Sequence, residues 1–155
     1  MISKSLMIEG SIYFGEETDS EKLASHLADC LHDADAKTVD LADGRASFKG
    51  GVFRMVSNWN VLAPFGSGEM RVNPTTRQVF YRLSVRELVA MGTVVVGLMT
   101  IFTLMSRAWQ PAIFMPIMWL WIVGGNLAIG TFRFERFVRR SIESAPRHAT
   151  QSRAT

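Results

Sequence analysis

Hydrophobic positions along this chain change their period twice. Leu6, Ile8, Ile12 and Phe14 alternate with Glu9, Ser11 and Tyr13, the period-two pattern of a half-buried strand. From about Thr18 to Ala34 the spacing lengthens. Leu23, Leu27, Cys30, Leu31 and Ala34 then recur on one stripe, which predicts an amphipathic helix. Thr18 and Glu21 have capping-box spacing, so each side chain could satisfy an amide at the helix start. Strand signals resume at Thr38–Ala42 and Arg45–Phe48, joined by Asp43-Gly44, a favoured two-residue turn. Gly50-Gly51 predicts a bulge or bend before Val52–Val56, and Ser57–Gly68 reads as a loop. Glu69–Val72 then pairs with Gln78–Leu83 across Asn73-Pro74-Thr75-Thr76. The pattern predicts an α+β domain over residues 1–86, ordered β-α-β-β-β-β, with one long helix on an antiparallel sheet.

Beyond Leu88 the alternation stops. Leu88–Ser106 is 19 residues without a charge. At ~1.5 Å per residue such a helix covers about 28 Å, close to the roughly 30 Å of a bilayer's hydrocarbon core. Ala108–Phe132 adds 25 uncharged residues, with Pro116 as the expected site of a kink. The predicted layout is a transmembrane helix at 87–106, an external turn at 107–111 and a second transmembrane helix at 112–132. A basic juxtamembrane helix extension (133–143) and a disordered tail (144–155) follow. Glu9 interrupts the N-terminal apolar residues too early for a signal peptide, so the first span is expected to direct insertion.

The formal charge of +3 and pI near 9.4 point at first to nucleic acid, but the distribution of charge excludes that class. Residues 1–43 hold ten acids against Lys4, Lys22 and Lys37, while the arginines gather beside the apolar block. Arg71, Arg77, Arg82 and Arg86 precede it, Arg133, Arg136, Arg139, Arg140 and Arg147 follow it, and the connecting turn has Arg107 alone. By the positive-inside rule both termini are cytoplasmic, with a bacterial inner membrane the expected location. The lipid bilayer is then the expected partner. Arg133, Arg136, Arg139 and Arg140 would each gain roughly 1 kcal/mol beside anionic lipid headgroups.

Catalytic and cofactor chemistry find little support. His26 and Cys30 could offer two ligands to a metal, but a structural site needs about four and no second Cys/His pair exists. Cys30, the only cysteine, excludes an intrachain disulfide and reads as a small buried hydrophobe. Gly66-Ser67-Gly68 lacks the lysine and further glycine of phosphate-binding loops. No cofactor or metal is expected. The spans contain no acid, base or histidine, which argues against ion-coupled transport.

Thr93 and Gly97 on the first span, and Gly124 and Ala128 on the second, form small-residue stripes that let helices approach closely. Asn126 is expected to act as interhelical glue. Trp59, Leu62 and Phe65 would either dip into the membrane interface or close one end of the sheet core, and Trp109 would anchor the far interface. Phe134, Phe137, Val138 and Ser141 share one helical face among the arginines. Nothing assembles a nucleophile, base and oxyanion site. The expected role is a non-enzymatic, membrane-anchored interaction or regulatory module, with a protein partner or homo-oligomer compatible with the stripes. The alternatives are a membrane-embedded subunit of a larger complex, or a membrane-surface enzyme using scattered acids such as Asp40 or Glu69.

Overall fold

Alternating side chains build five strands: β1 (Met7–Tyr13), β2 (Thr38–Ala42), β3 (Arg45–Lys49), β4 (Ser67–Asn73) and β5 (Gln78–Ser84). They form one antiparallel sheet in the order β1-β5-β4-β3-β2. The computed structural model describes residues 6–50, 60–106 and 114–146. The Val52–Val56 segment, Trp59, the 107–111 turn with Trp109, and the tail beyond residue 146 lie outside the described residues. Asp43 and Gly44 both have left-handed backbones, φ 50° and 70°, which lets a two-residue turn follow the strand twist.

Helix α1 (Ser20–Asp33) carries the chain from β1 at one edge to β2 at the other. Its cap is Asp19 rather than Thr18. The Asp19 carboxylate accepts from the amides of Glu21 (3.1 Å) and Lys22 (3.4 Å). Thr18 is drawn instead into a turn, donating its amide to the Gly15 carbonyl. A carboxylate also complements the positive end of the helix dipole better than a hydroxyl does.

Leu23, Leu27 and Leu31 of α1 are fully buried against Ala46, Phe48, Met70, Val79 and Leu83 on one face of the sheet. The rest of that face is covered by an element from the far end of the chain. After β5 come α2 (Arg86–Met105), α3 (Met115–Leu120), a π turn (Trp121–Gly125) and α4 (Asn126–Glu143). Phe134 and Val138 of α4 are fully buried, and Ile142 and Ala145 join the same cluster. The Phe134 ring lies 5.4 Å from Tyr81, 5.7 Å from Phe65 and 6.4 Å from Phe48, at the centre of the core. The 133–143 stretch thus completes the fold. The apolar helices are inserted between strand β5 and the helix that closes its core.

Two helices, Arg86–Met105 and Met115–Glu143, are long and apolar enough to cross a membrane, with mean hydropathies of 2.2 and 1.4. Pro116 sits in the first turn of α3, where its missing N–H costs no hydrogen bond. The irregularity in this helix is instead the π turn at Trp121–Gly125, with helical backbone continuing on both sides.

Candidate functional site at the hairpin and the open sheet face

The apolar helices meet at Gly92 and Val123, both buried. A Cβ placed on Gly92 would stand 2.5 Å from the Val123 methyl, so only glycine allows this approach. One turn away the Trp119 indole N–H donates to the Thr93 hydroxyl at 3.1 Å, fixing the same crossing. Thr93 thus touches the second helix. Gly97, Gly124 and Asn126 are placed differently. A Cβ on Gly97 would meet nothing within 4 Å, and one on Gly124 would meet only Leu120 of its own helix at 3.7 Å. Asn126 is exposed and donates its side-chain amide to the Ile122 carbonyl at 2.6 Å, one turn back on the same helix. Serving the disturbed ladder of the π turn is a local role, not an interhelical one. Ala128 is exposed and, with Gly124, Leu127, Thr131 and Ile8, lines an open apolar groove.

Leu62 and Phe65 are not interface residues: they are 1% and 0% exposed and lie in the core. The turn that carries them is held from both sides. The Asn60 side chain accepts from the Leu62 amide (2.8 Å) and donates to the Ala34 carbonyl at the end of α1 (2.9 Å). A Cβ on Gly130 of α4 would collide with Pro64, so glycine is what lets α4 lie this close. Arg136, Arg139 and Arg140 are exposed on the opposite side of α4, and the Arg136 guanidinium lies 5.2 Å over the Phe132 ring. Arg133 is half-buried. Cys30 is half-buried too, its sulfur 3.6 Å from His26 Nε2, which also meets the Ser144 hydroxyl at 3.1 Å. Among the described residues no three potential metal ligands converge.

A polar contact joins the sheet to α4 among the described residues. The Tyr81 hydroxyl donates to Glu135 at 2.8 Å, and Gly10, paired with Tyr81 across β1 and β5, leaves room for the ring. Burial, and then the hydrogen bond to Glu135, push the Tyr81 hydroxyl up to about 12. The folded protein thus keeps a proton that the unfolded chain releases near pH 10. This contribution to stability is full below pH 10 and is lost as pH rises toward 12. Melting temperature in detergent is expected to fall across that window, and Tyr81→Phe to flatten the fall while costing about 1–3 kcal/mol at neutral pH. Equal slopes for the two proteins would refute the assignment.

The other face of the sheet has no element packed on it among the described residues, and it carries Asp40 and Glu69, the acids named for the membrane-surface-enzyme alternative. Its central row runs Glu9, Arg82, Glu69, Ser47, Asp40 across all five strands. Arg82 pairs with Glu9 at 2.7 Å and reaches Glu69 at 4.0 Å, while Arg45 reaches Glu69 at 3.5 Å. The next row runs Ser11, Phe80, Arg71, Arg45. Phe80 is 41% exposed, and this row lines a depression of 640 Å³ together with Glu9, Arg82 and Glu69 of the central row. The signal was present in Gln78–Ser84, where Val79, Tyr81 and Leu83 point inward and Phe80 breaks an otherwise polar outer series. Comparison with family models, curated proteins and solved structures returned no match.

Proposed function

We propose that this chain is a non-enzymatic, membrane-anchored interaction module. In this reading α2 and the α3–α4 helix form a two-span hairpin, and the α+β domain stands on the cytoplasmic side with both termini. One observation carries it. The most apolar stretches of both helices are only 11% buried, leaving Val94, Leu98, Phe102, Ile117, Leu120 and Trp121 on the surface. Contiguous apolar surface on that scale calls for a non-aqueous neighbour, and a bilayer fits helices of this length. The basic residues Arg86, Arg133 and Arg136 stand just beyond the apolar stretches, at headgroup level in this arrangement, where anionic lipid would favour them.

The expected result of reporter fusions is a cytoplasmic signal at residues 1 and 155. A cysteine in place of Gln110 is expected to react with an impermeant thiol reagent applied from outside intact cells. Opposite signals at the two ends, or labelling only in broken cells, would overturn the topology. A second reading, a membrane-embedded subunit of a larger assembly, is favoured by one specific feature: an added Cβ at Gly97 or Gly124 would meet no atom of the other helix and Ala128 is exposed, so these positions remain available to a second protein.

A further inference from the structure

The register of β3 and β4 sets Arg45 directly opposite Arg71. Like charges at directly paired positions destabilise a sheet. Arg45 is partly compensated by Glu69, but among the described residues no carboxylate pairs with Arg71. Phe80 flanks Arg71 on the other side, in register and half-exposed, on an outer face where its neighbours are polar. The row Phe80–Arg71–Arg45 therefore sets a half-exposed aromatic residue beside two arginines, the second of which reaches toward Glu69. Its ends lie about 10 Å apart, because adjacent strands are spaced about 4.8 Å. Ser11 and Asn73 at the rim add neutral hydrogen-bonding groups, and the depression is of a size suited to a small ligand.

We propose that this row is a nucleotide site, with a base stacked on Phe80 and phosphate oxygens shared between Arg71 and Arg45. Each element has its chemistry. A flat ring stacks on an exposed aromatic with little preference among bases. A guanidinium fork matches phosphate oxygens bidentately, which a lysine would not do. The bound phosphate also removes the repulsion that the unliganded sheet retains. Arg82, by contrast, is already engaged by Glu9 and Glu69, which leaves Arg71 as the cation most available to an anion. The proposal rests on the topology above only in requiring that this face meet cytoplasmic nucleotide. Binding in detergent is independent of topology, so the two can fail separately.

The test is calorimetric titration of the detergent-purified full chain with ADP, inorganic phosphate and adenosine, alongside melting curves. ADP is expected to bind at least tenfold more tightly than either fragment and to raise the melting temperature. Arg71→Gln is expected to weaken ADP at least tenfold. It should also raise the melting temperature of the unliganded protein, because it removes a like-charge pair. Phe80→Ala is expected to bring ADP down to the level of inorganic phosphate. Both side chains are exposed, so neither variant threatens the core. The idea is overturned by absence of ADP binding at millimolar concentration, or by binding that ignores both substitutions. A single-stranded oligonucleotide binding far more tightly than ADP would overturn it too, since the face would then be a nucleic-acid surface.

Discussion

A chain ending at Arg86 is expected not to fold, whereas residues 1–86 joined to residues 126–146 by a flexible Gly/Ser linker are expected to fold as a domain without the apolar helices. The reason is the ownership of the core. Phe134 and Val138 are fully buried on the same sheet face as Leu27 and Phe48, and the Phe134 ring contacts the rings of Phe65 and Tyr81. Removing α4 would take the Phe134 ring away from Phe48, Phe65 and Tyr81 and expose them to water at once. Each large apolar side chain left exposed forfeits roughly 1.5–3 kcal/mol, and the total approaches the 5–15 kcal/mol that stabilises a typical domain. Phe134→Ala in the intact protein is the single-residue version. It is expected to cost about 3–5 kcal/mol through a cavity at the centre of the aromatic cluster. Circular dichroism melts of the two shortened chains, and of Phe134→Ala in detergent, measure both effects. A cooperative transition in the chain ending at Arg86 would show that the first segment closes its own core.

That dependence also marks how far the sequence could be read. The alternation at Leu6–Phe14 and the stripe Leu23–Leu27–Leu31 were legible because burial in each is local and periodic. The helical face Phe134–Phe137–Val138–Ser141 was legible too, but not what it packs on. Its partner lies some 50 or more residues back, across both apolar helices, and periodicity carries no information about partners. For Leu62 and Phe65 the sequence left membrane interface and sheet core both open; they close the core, where Asn60 fastens their turn under the end of α1. Small-residue spacing named the stripe on the first span but not the contact. Gly97 and Gly92 have the same composition signal, and only the crossing point of the helices separates them. The row Phe80–Arg71–Arg45 was hidden for a different reason: cross-strand neighbours are set by register between segments, not by spacing within one.

Gly92→Leu is expected to break the hairpin, while Gly97→Leu and Gly124→Leu leave it intact. At Gly92 the first added carbon would already stand 2.5 Å from the Val123 methyl, and leucine brings three more behind it. Overpacking a well-fitted contact costs typically 1–3 kcal/mol, and here the collision also separates Trp119 from the Thr93 hydroxyl, now 3.1 Å apart. The consequence should not stay local. Val85, which leads into α2, is 4% exposed within the domain core, and Val89 packs against that core between Val85 and Gly92. Displacing α2 at Gly92 therefore pulls on the sheet through one continuous helix, so the domain and the hairpin should lose stability together in a single transition. A Cβ at Gly97 enters open space and one at Gly124 meets only Leu120 of its own helix at ordinary contact distance, so melting temperature in detergent should hold. Any effect of those two variants should appear in detergent-extracted mass instead, as a shift from oligomer to monomer, if the stripes face a second protomer. A wild-type melt for Gly92→Leu beside a lowered one for Gly97→Leu would place the crossing point elsewhere and remove the mechanical link between hairpin and sheet.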